Sequence, residues 1–263
     1  MIGDTTIHYE RRGSGPPLVL VHGLGGTGAA IWKNQAAELA RDFAVVVPDL
    51  RGAGDSSRSP GPYSLQDFVD DLHGLVERLE LGRAGLVGHS FGGSIVLEFA
   101  AQHPGQVAAV VAVGGPTELP DQSRDGMRAR ADTVEREGMA AVAETVATNG
   151  MAPSFRESRP DELEAYANLL AAVDPQAYAA TCRVIADLDI GGHLSRIAAP
   201  VLLVAGDRDA VAPPELNRKN AVRIPDASFV EVEDCGHILP WEKPDALLAA
   251  IRPFLLETAR IAA

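Results

Sequence analysis

The residues best able to do chemistry stand in Leu86-Val87-Gly88-His89-Ser90-Phe91-Gly92-Gly93-Ser94. A serine hydroxyl is a weak nucleophile, so it needs a base to take its proton and an acid to orient that base. The Gly-x-Ser-x-Gly pattern by itself is poor support, because a chain of this length meets it by chance about one time in ten. Flanks and partners decide. An apolar run (84–87) precedes Ser90 and a helical pattern (91–102) follows it, the strand–turn–helix setting of a nucleophile elbow. A plain tight turn would need no partners elsewhere in the chain.

Two later stretches offer them. The apolar run 201–205 leads into Gly206-Asp207-Arg208-Asp209, and the run 229–232 leads into Glu233-Asp234-Cys235-Gly236-His237. An elbow serine takes its partners in the order acid, then histidine. Of the seven histidines (His8, His22, His73, His89, His103, His193 and His237) only His237 follows Asp209. The expected catalytic set is therefore Ser90 as nucleophile, His237 as base and Asp209 as orienting acid. Asp209 is preferred over Asp207 because it lies three residues beyond the glycine, and Asp234 is read as shaping the His237 loop.

Attack on a carbonyl also requires two N–H donors for the developing oxyanion. Phe91, directly after the serine, supplies one, and Leu24 in the loop Val21-His22-Gly23-Leu24-Gly25-Gly26 is the candidate for the other. That loop lacks the glycine spacing and the Lys-Ser/Thr ending of a phosphate cradle. His22 is read as its anchor, and His73, His103 and His193 as structural.

These residues need a scaffold. Runs at 17–22, 44–50, 84–88, 107–113, 201–205 and 229–232 read as strands, several apolar on consecutive positions, as in a parallel sheet covered on both faces. Residues 7–11 read as an earlier strand at the antiparallel edge. Helical patterns at 31–41, 65–79, 91–102, 214–222 and 244–256 alternate with them, which defines an α/β fold. From 118 to 196 only helix signals occur. Ser158 with Asp161 resembles a capping box, and Asp174-Pro175 a cap followed by a first-turn proline. The expected organisation is a core of residues 1–117 and 197–263 with a helical lid, 118–196, inserted between two core strands. Met127, Met139, Met151, Phe155, Leu163 and Tyr166 of that lid are the expected lining of an apolar substrate pocket.

Composition limits the partners. A formal charge of −13 with no cluster of Lys or Arg argues against nucleic acid and anionic membrane surfaces as partners. No uncharged apolar run is long enough for a membrane span, and the start MIGDTTIHYE has neither the basic nor the apolar region of a signal peptide. A cytoplasmic protein with two free thiols, Cys182 and Cys235, is expected, with no metal and no cofactor.

Taken together, HGLGG (22–26), PDLRGAGDSS (48–57), GHSFGG (88–93), GDRD (206–209) and DCGH (234–237) resemble the α/β-hydrolase superfamily over essentially the whole chain. A serine at position 90, where dehalogenases and epoxide hydrolases of that superfamily carry aspartate, implies ester-type chemistry on a small-molecule ester or lactone. PGPYSLQDFVDDL (60–72), EGMAAVAE (137–144), DPQAYAATCRVIADLDI (174–190) and GDRDAVAPPE (206–215) look like the 3-oxoadipate enol-lactonase branch. The chain departs from that branch where an Arg-Trp-Phe stretch should precede Pro153-Ser154-Phe155: it has Asn149-Gly150-Met151 there, and its only tryptophans, Trp32 and Trp241, lie outside the lid. The resemblance thus carries the reaction class and leaves the substrate open. Cleavage of a C–C bond or perhydrolysis on the same triad, and a small-ligand receptor of this fold with little turnover, are the alternatives.

Overall fold

A computed structural model of the chain describes residues 5–58 and 61–262. Residues 1–4, the head of the segment read as lacking a signal peptide, lie outside it, as does Pro60 of the PGPYSLQDFVDDL stretch.

Strands β1 (Tyr9–Arg12), β2 (Pro17–Val21), β3 (Ala44–Pro48), β4 (Ala84–His89), β5 (Val107–Val113), β6 (Val201–Gly206) and β7 (Ala227–Val232) form one sheet in the order β1-β3-β2-β4-β5-β6-β7. β1 pairs antiparallel with β3, and every other pairing is parallel. The consecutive apolar residues of the inner strands have a simple cause: alternate side chains enter two different cores. Leu18 and Leu20 of β2 join Trp32, Leu39, Leu247 and Ile251 on one face. Val19 and Val21 join Phe68, Leu72, Ile95 and Phe99 on the other.

The first face is covered by α1 (Gly28–Ile31), α2 (Lys33–Leu39) and, after the last strand, a long C-terminal helix. The helix expected over 31–41 breaks at Trp32, whose backbone (φ −99, ψ 13) leaves helical geometry while its indole is fully buried. The second face is covered by α3 (Leu65–Arg78) and α4 (Phe91–Gln102). α3 opens with a capping box in which Ser64 and Asp67 exchange hydrogen bonds.

Between β5 and β6 the chain runs through α5 (Asp121–Glu137), α6 (Ala143–Gly150), α7 (Pro153–Ser158), α8 (Pro160–Ala171) and α9 (Pro175–Ala186). Asp174 caps α9 by accepting from Ala177 N, with Pro175 in the first turn as expected. Ser158 does not cap α8. It closes α7, its hydroxyl donating to the Ser154 carbonyl at 2.7 Å, because α7 and α8 follow each other with only Arg159 between them. The last helices are α10 (Pro214–Arg223), α11 (Leu239–Glu242) and α12 (Pro244–Ala262). No helix among the described residues is long and apolar enough to cross a membrane.

Candidate active site

β4 ends at His89 and α4 begins at Phe91, so Ser90 makes the whole turn with φ 54 and ψ −124. A non-glycine residue held there stores about 1–3 kcal/mol of backbone strain. The neighbours hold it: Ser90 N donates to Val113 O of β5 at 2.8 Å, and Gly93 N donates to Ser90 O at 2.8 Å. The flanking glycines are required by close approach. A Cβ on Gly88 would lie 2.2 Å from Gly92 O, and one on Gly92 would lie 2.4 Å from Val21 O. The turn thus lifts the hydroxyl above the carboxyl ends of the strands, over the start of α4.

His237 and Asp209 arrive from the ends of β7 and β6. His237 Nε2 is 2.8 Å from Ser90 Oγ, and its Nδ1 is 2.9 Å from Asp209 Oδ2. A carboxylate only accepts, so Nδ1 carries the proton and Nε2 accepts from the serine hydroxyl. Asp209 Oδ1 accepts from Val211 N at 2.8 Å and Ala212 N at 2.9 Å. Burial works against the charged carboxyl, but His237 and the two amides outweigh it and hold Asp209 below the usual carboxylate range. A proton can therefore move from Oγ to Nε2 while a fixed negative charge faces the opposite side of the ring.

Leu24 lies on the loop after β2. Neither its N–H nor that of Phe91 donates to a protein acceptor among the described residues. His22 anchors the loop: Leu50 N donates to its Nε2 at 2.9 Å, and its Nδ1 donates to Gly23 O at 2.7 Å. Burial lowers its pKa, in keeping with a neutral ring that accepts at Nε2. Leu50 belongs to PDLRGAGDSS, whose Asp49 accepts from Gly28 N and Asp55 N, so that motif braces the Leu24 loop from behind.

Two features of the His237 loop were not foreseen. Glu242, five residues on and buried, accepts from Gly236 N at 3.0 Å, Ile238 N at 3.1 Å and Ala152 N at 2.8 Å. His237 N itself donates to Gly150 O at 2.7 Å. The helical insertion is therefore bonded to the loop that carries the histidine. His89 adds a third tie, its Nε2–H donating to His237 O at 2.9 Å; burial and the adjacent His237 push its pKa down to about 3. A carboxyl at a fixed short spacing after a histidine was visible in HILPWE, but its three amide partners come from folding. The competing acids are structural: Asp207 accepts from Cys235 N, and Asp234 accepts from Ser154 Oγ at 2.5 Å.

Ser90, His237, Leu24 and Phe91 line a cavity of about 780 Å³, counting its mouth, that is roofed by the insertion. Met127 and Tyr166 line it as expected. Met139, Met151 and Phe155 do not: they are buried in the packing of the insertion itself, and Leu163 rests against the same cluster. Helical amphipathicity marks which side is buried, and here that side faces neighbouring helices as often as the cavity. Leu119, Val146, Ile185 and Val211 supply the apolar wall instead, while Arg130, Asn149 and Tyr178 supply polar groups. Among the described residues no group of three His, Cys, Asp or Glu could hold a metal ion.

Residues 16–244 match the alpha/beta hydrolase fold family, and the chain belongs to that family. Its relatives include hydrolases. 3-Oxoadipate enol-lactonase 2 of Acinetobacter baylyi is 29% identical over 253 residues, covering 94% of this chain and 92% of the relative. The crystal structure of the enol-lactonase from Burkholderia xenovorans superposes with a TM-score of 0.92 at 29% identity, over 97% of this chain and 98% of that one. A thermophilic esterase from Thermogutta terrifontis superposes at 0.90 with 31% identity, over 96% and 94%.

Proposed function

We propose that this hydrolase cleaves a carboxylic ester or lactone through an acyl-enzyme on Ser90. The observation that carries the reading is the continuous bonded line from Ser90 Oγ through His237 to Asp209, beside two unengaged amides. His237 Nε2 takes the hydroxyl proton as Oγ bonds to the carbonyl carbon, and the carbonyl electron pair moves onto oxygen between Leu24 N–H and Phe91 N–H. The intermediate collapses, and the leaving alkoxide receives the proton from His237. Water then repeats the sequence on the acyl group, freeing Ser90. Asp209 holds the ring tautomer throughout and stabilises the imidazolium. The insertion serves as a lid, with residues 1–117 and 197–263 as the core beneath it.

The enol-lactonase and esterase relatives support both ester and lactone as substrates. The test is a rate panel of 4-nitrophenyl esters of graded chain length and simple lactones, run on the wild type and on Ser90→Ala. Loss of about a millionfold in kcat for Ser90→Ala, with Ser90 labelled by a sulfonyl fluoride, is expected. Wild-type rates in Ser90→Ala would overturn the reading. Faster cleavage of a 1,3-diketone than of any ester would move the reaction to C–C hydrolysis, and tight binding without turnover would make the chain a receptor.

A further inference from the structure

Five carboxylates are buried among the described residues: Asp49, Asp71, Glu98, Asp209 and Glu242. Four of them face a side chain able to carry positive charge. Asp71 pairs with Arg51, and Asp49, Glu98 and Asp209 lie against His8, His193 and His237. Glu242, 5% exposed, pairs with no Lys, Arg or His among the described residues. Its neighbour Lys243 reaches Asp234 instead. A charge taken out of water without an ion partner is costly, and it persists only where its surroundings are built for it.

Those surroundings are three main-chain N–H groups. Oε2 accepts from Gly236 N and Ala152 N, and Oε1 accepts from Ile238 N. The last bond closes α11 on itself, because Glu242 N donates back to Ile238 O at 2.9 Å. Burial pushes the Glu242 pKa up, against the pull of the three amides and of His237. Every partner is a donor, so only an ionised carboxylate satisfies all three. A glutamine of the same shape would turn its NH2 against Ile238 N–H or against the other two amides.

Two of the three amides flank the base. His237 N donates to Gly150 O at 2.7 Å, and His237 O accepts from His89 Nε2 at 2.9 Å, so the main chain at 236–238 is held from both sides. Asp209 fixes the rotation of the ring through Nδ1, whereas the height of the ring over Ser90 follows the main chain. The insertion presses close here: a Cβ on Gly236 would lie 2.6 Å from Gly150 O and 2.7 Å from Ala152 N. Glu242 Oε2 joins the histidine loop to the insertion through a single atom.

We infer that Glu242 is a positioning residue for the reaction: its carboxylate clamps the amides on either side of His237 to Ala152 of the insertion, and so holds Nε2 at bonding distance from Ser90 Oγ. This rests on His237 being the base. Glu242 touches neither substrate nor the reacting atoms and works through the main chain that carries the ring. A misplacement on the order of 1 Å is enough to lower a rate by about a hundredfold.

The experiment is Glu242→Gln in the full-length protein, assayed on 4-nitrophenyl butyrate. kcat should fall by about a hundredfold with KM changed less than about threefold, and proton NMR should show the His237 Nδ1 proton shifted or broadened away. A role in stability alone would lower the melting temperature and leave both readouts at their wild-type values in the folded protein. Wild-type kcat in folded Glu242→Gln, or a lowered kcat with an unmoved Nδ1 proton, would overturn the positioning role. If Glu242→Gln does not fold, the wild type decides: carbon NMR must show the Glu242 carboxyl ionised at neutral pH, and a protonated carboxyl rejects the clamp. His237→Gln separates the two failures. A His237→Gln variant with wild-type activity rejects His237 as the base, whereas an inactive one beside a normal Glu242→Gln rejects only the positioning role.

Discussion

The carboxyl edge of the sheet and the helical insertion above it wall the same cavity, and they are built by different rules. Along the sheet edge each functional group stands at the end of a strand: Ser90 after β4, Asp209 after β6, His237 after β7 and Leu24 after β2. Parallel pairing holds the strands in fixed register, and groups 147 residues apart in sequence meet at 2.8 Å. The insertion has no such frame. Its helices pack by apolar stripes, and a residue there can face the cavity or a neighbouring helix with equal local propensity. The geometry of the sheet edge is over-determined, whereas the insertion is free to vary.

This contrast can be broken by substitution. The largest effect belongs to the sheet edge: Asp209→Asn should lower kcat by about ten-thousandfold with the fold intact, since the ring loses its orienting charge. Steady-state kinetics beside an unchanged circular dichroism spectrum would check it. In the insertion, Met139→Ala should cost about 2–5 kcal/mol of stability while leaving kcat/KM nearly unchanged, because Met139 is 4% exposed and off the cavity wall. Denaturant titration measures the first and ester hydrolysis the second; a large drop in kcat/KM without loss of stability would erase the distinction. Met127→Ala, on the wall, should do the reverse and shift preference toward longer acyl chains by about tenfold.

A smaller effect sharpens the picture under acid. His89 is neutral in the fold, with its pKa down at about 3, against about 6.5 for a free imidazole. The unfolded chain therefore binds a proton that the fold refuses, and stability falls as pH drops from about 6.5 toward 3, by at most about 1.4 kcal/mol per unit. Above pH 6.5 this contribution is fully present. His89→Gln should flatten that part of the pH–stability curve, and NMR should show no His89 titration between pH 5 and 8.

The same contrast explains what could be read in the sequence. The strands, their parallel pairing and the spacing that joins Ser90, His237 and Asp209 were legible because glycines and apolar runs mark strand ends; the strand order was not. The apolar lining was legible for Met127 and Tyr166 and not for Met139, Met151, Phe155 and Leu163, because burial on a helix does not say against what. Arg130 carried no signal, being one of four arginines on α5 whose difference is only which neighbour each meets. Glu242 was hidden for a similar reason: two of its three amide partners flank His237, and the third lies 90 residues away.

That last bond and the one from His237 N to Gly150 O have a mechanical consequence. The roof is tied to the base it covers. Moving the segment at 150–152 would break the His237 N–Gly150 O bond and the Ala152 N–Glu242 bond together, while Glu242 would keep Gly236 N and Ile238 N. The segment at 150–152 is thereby held to the histidine loop from two sides, by Gly150 O and by Glu242.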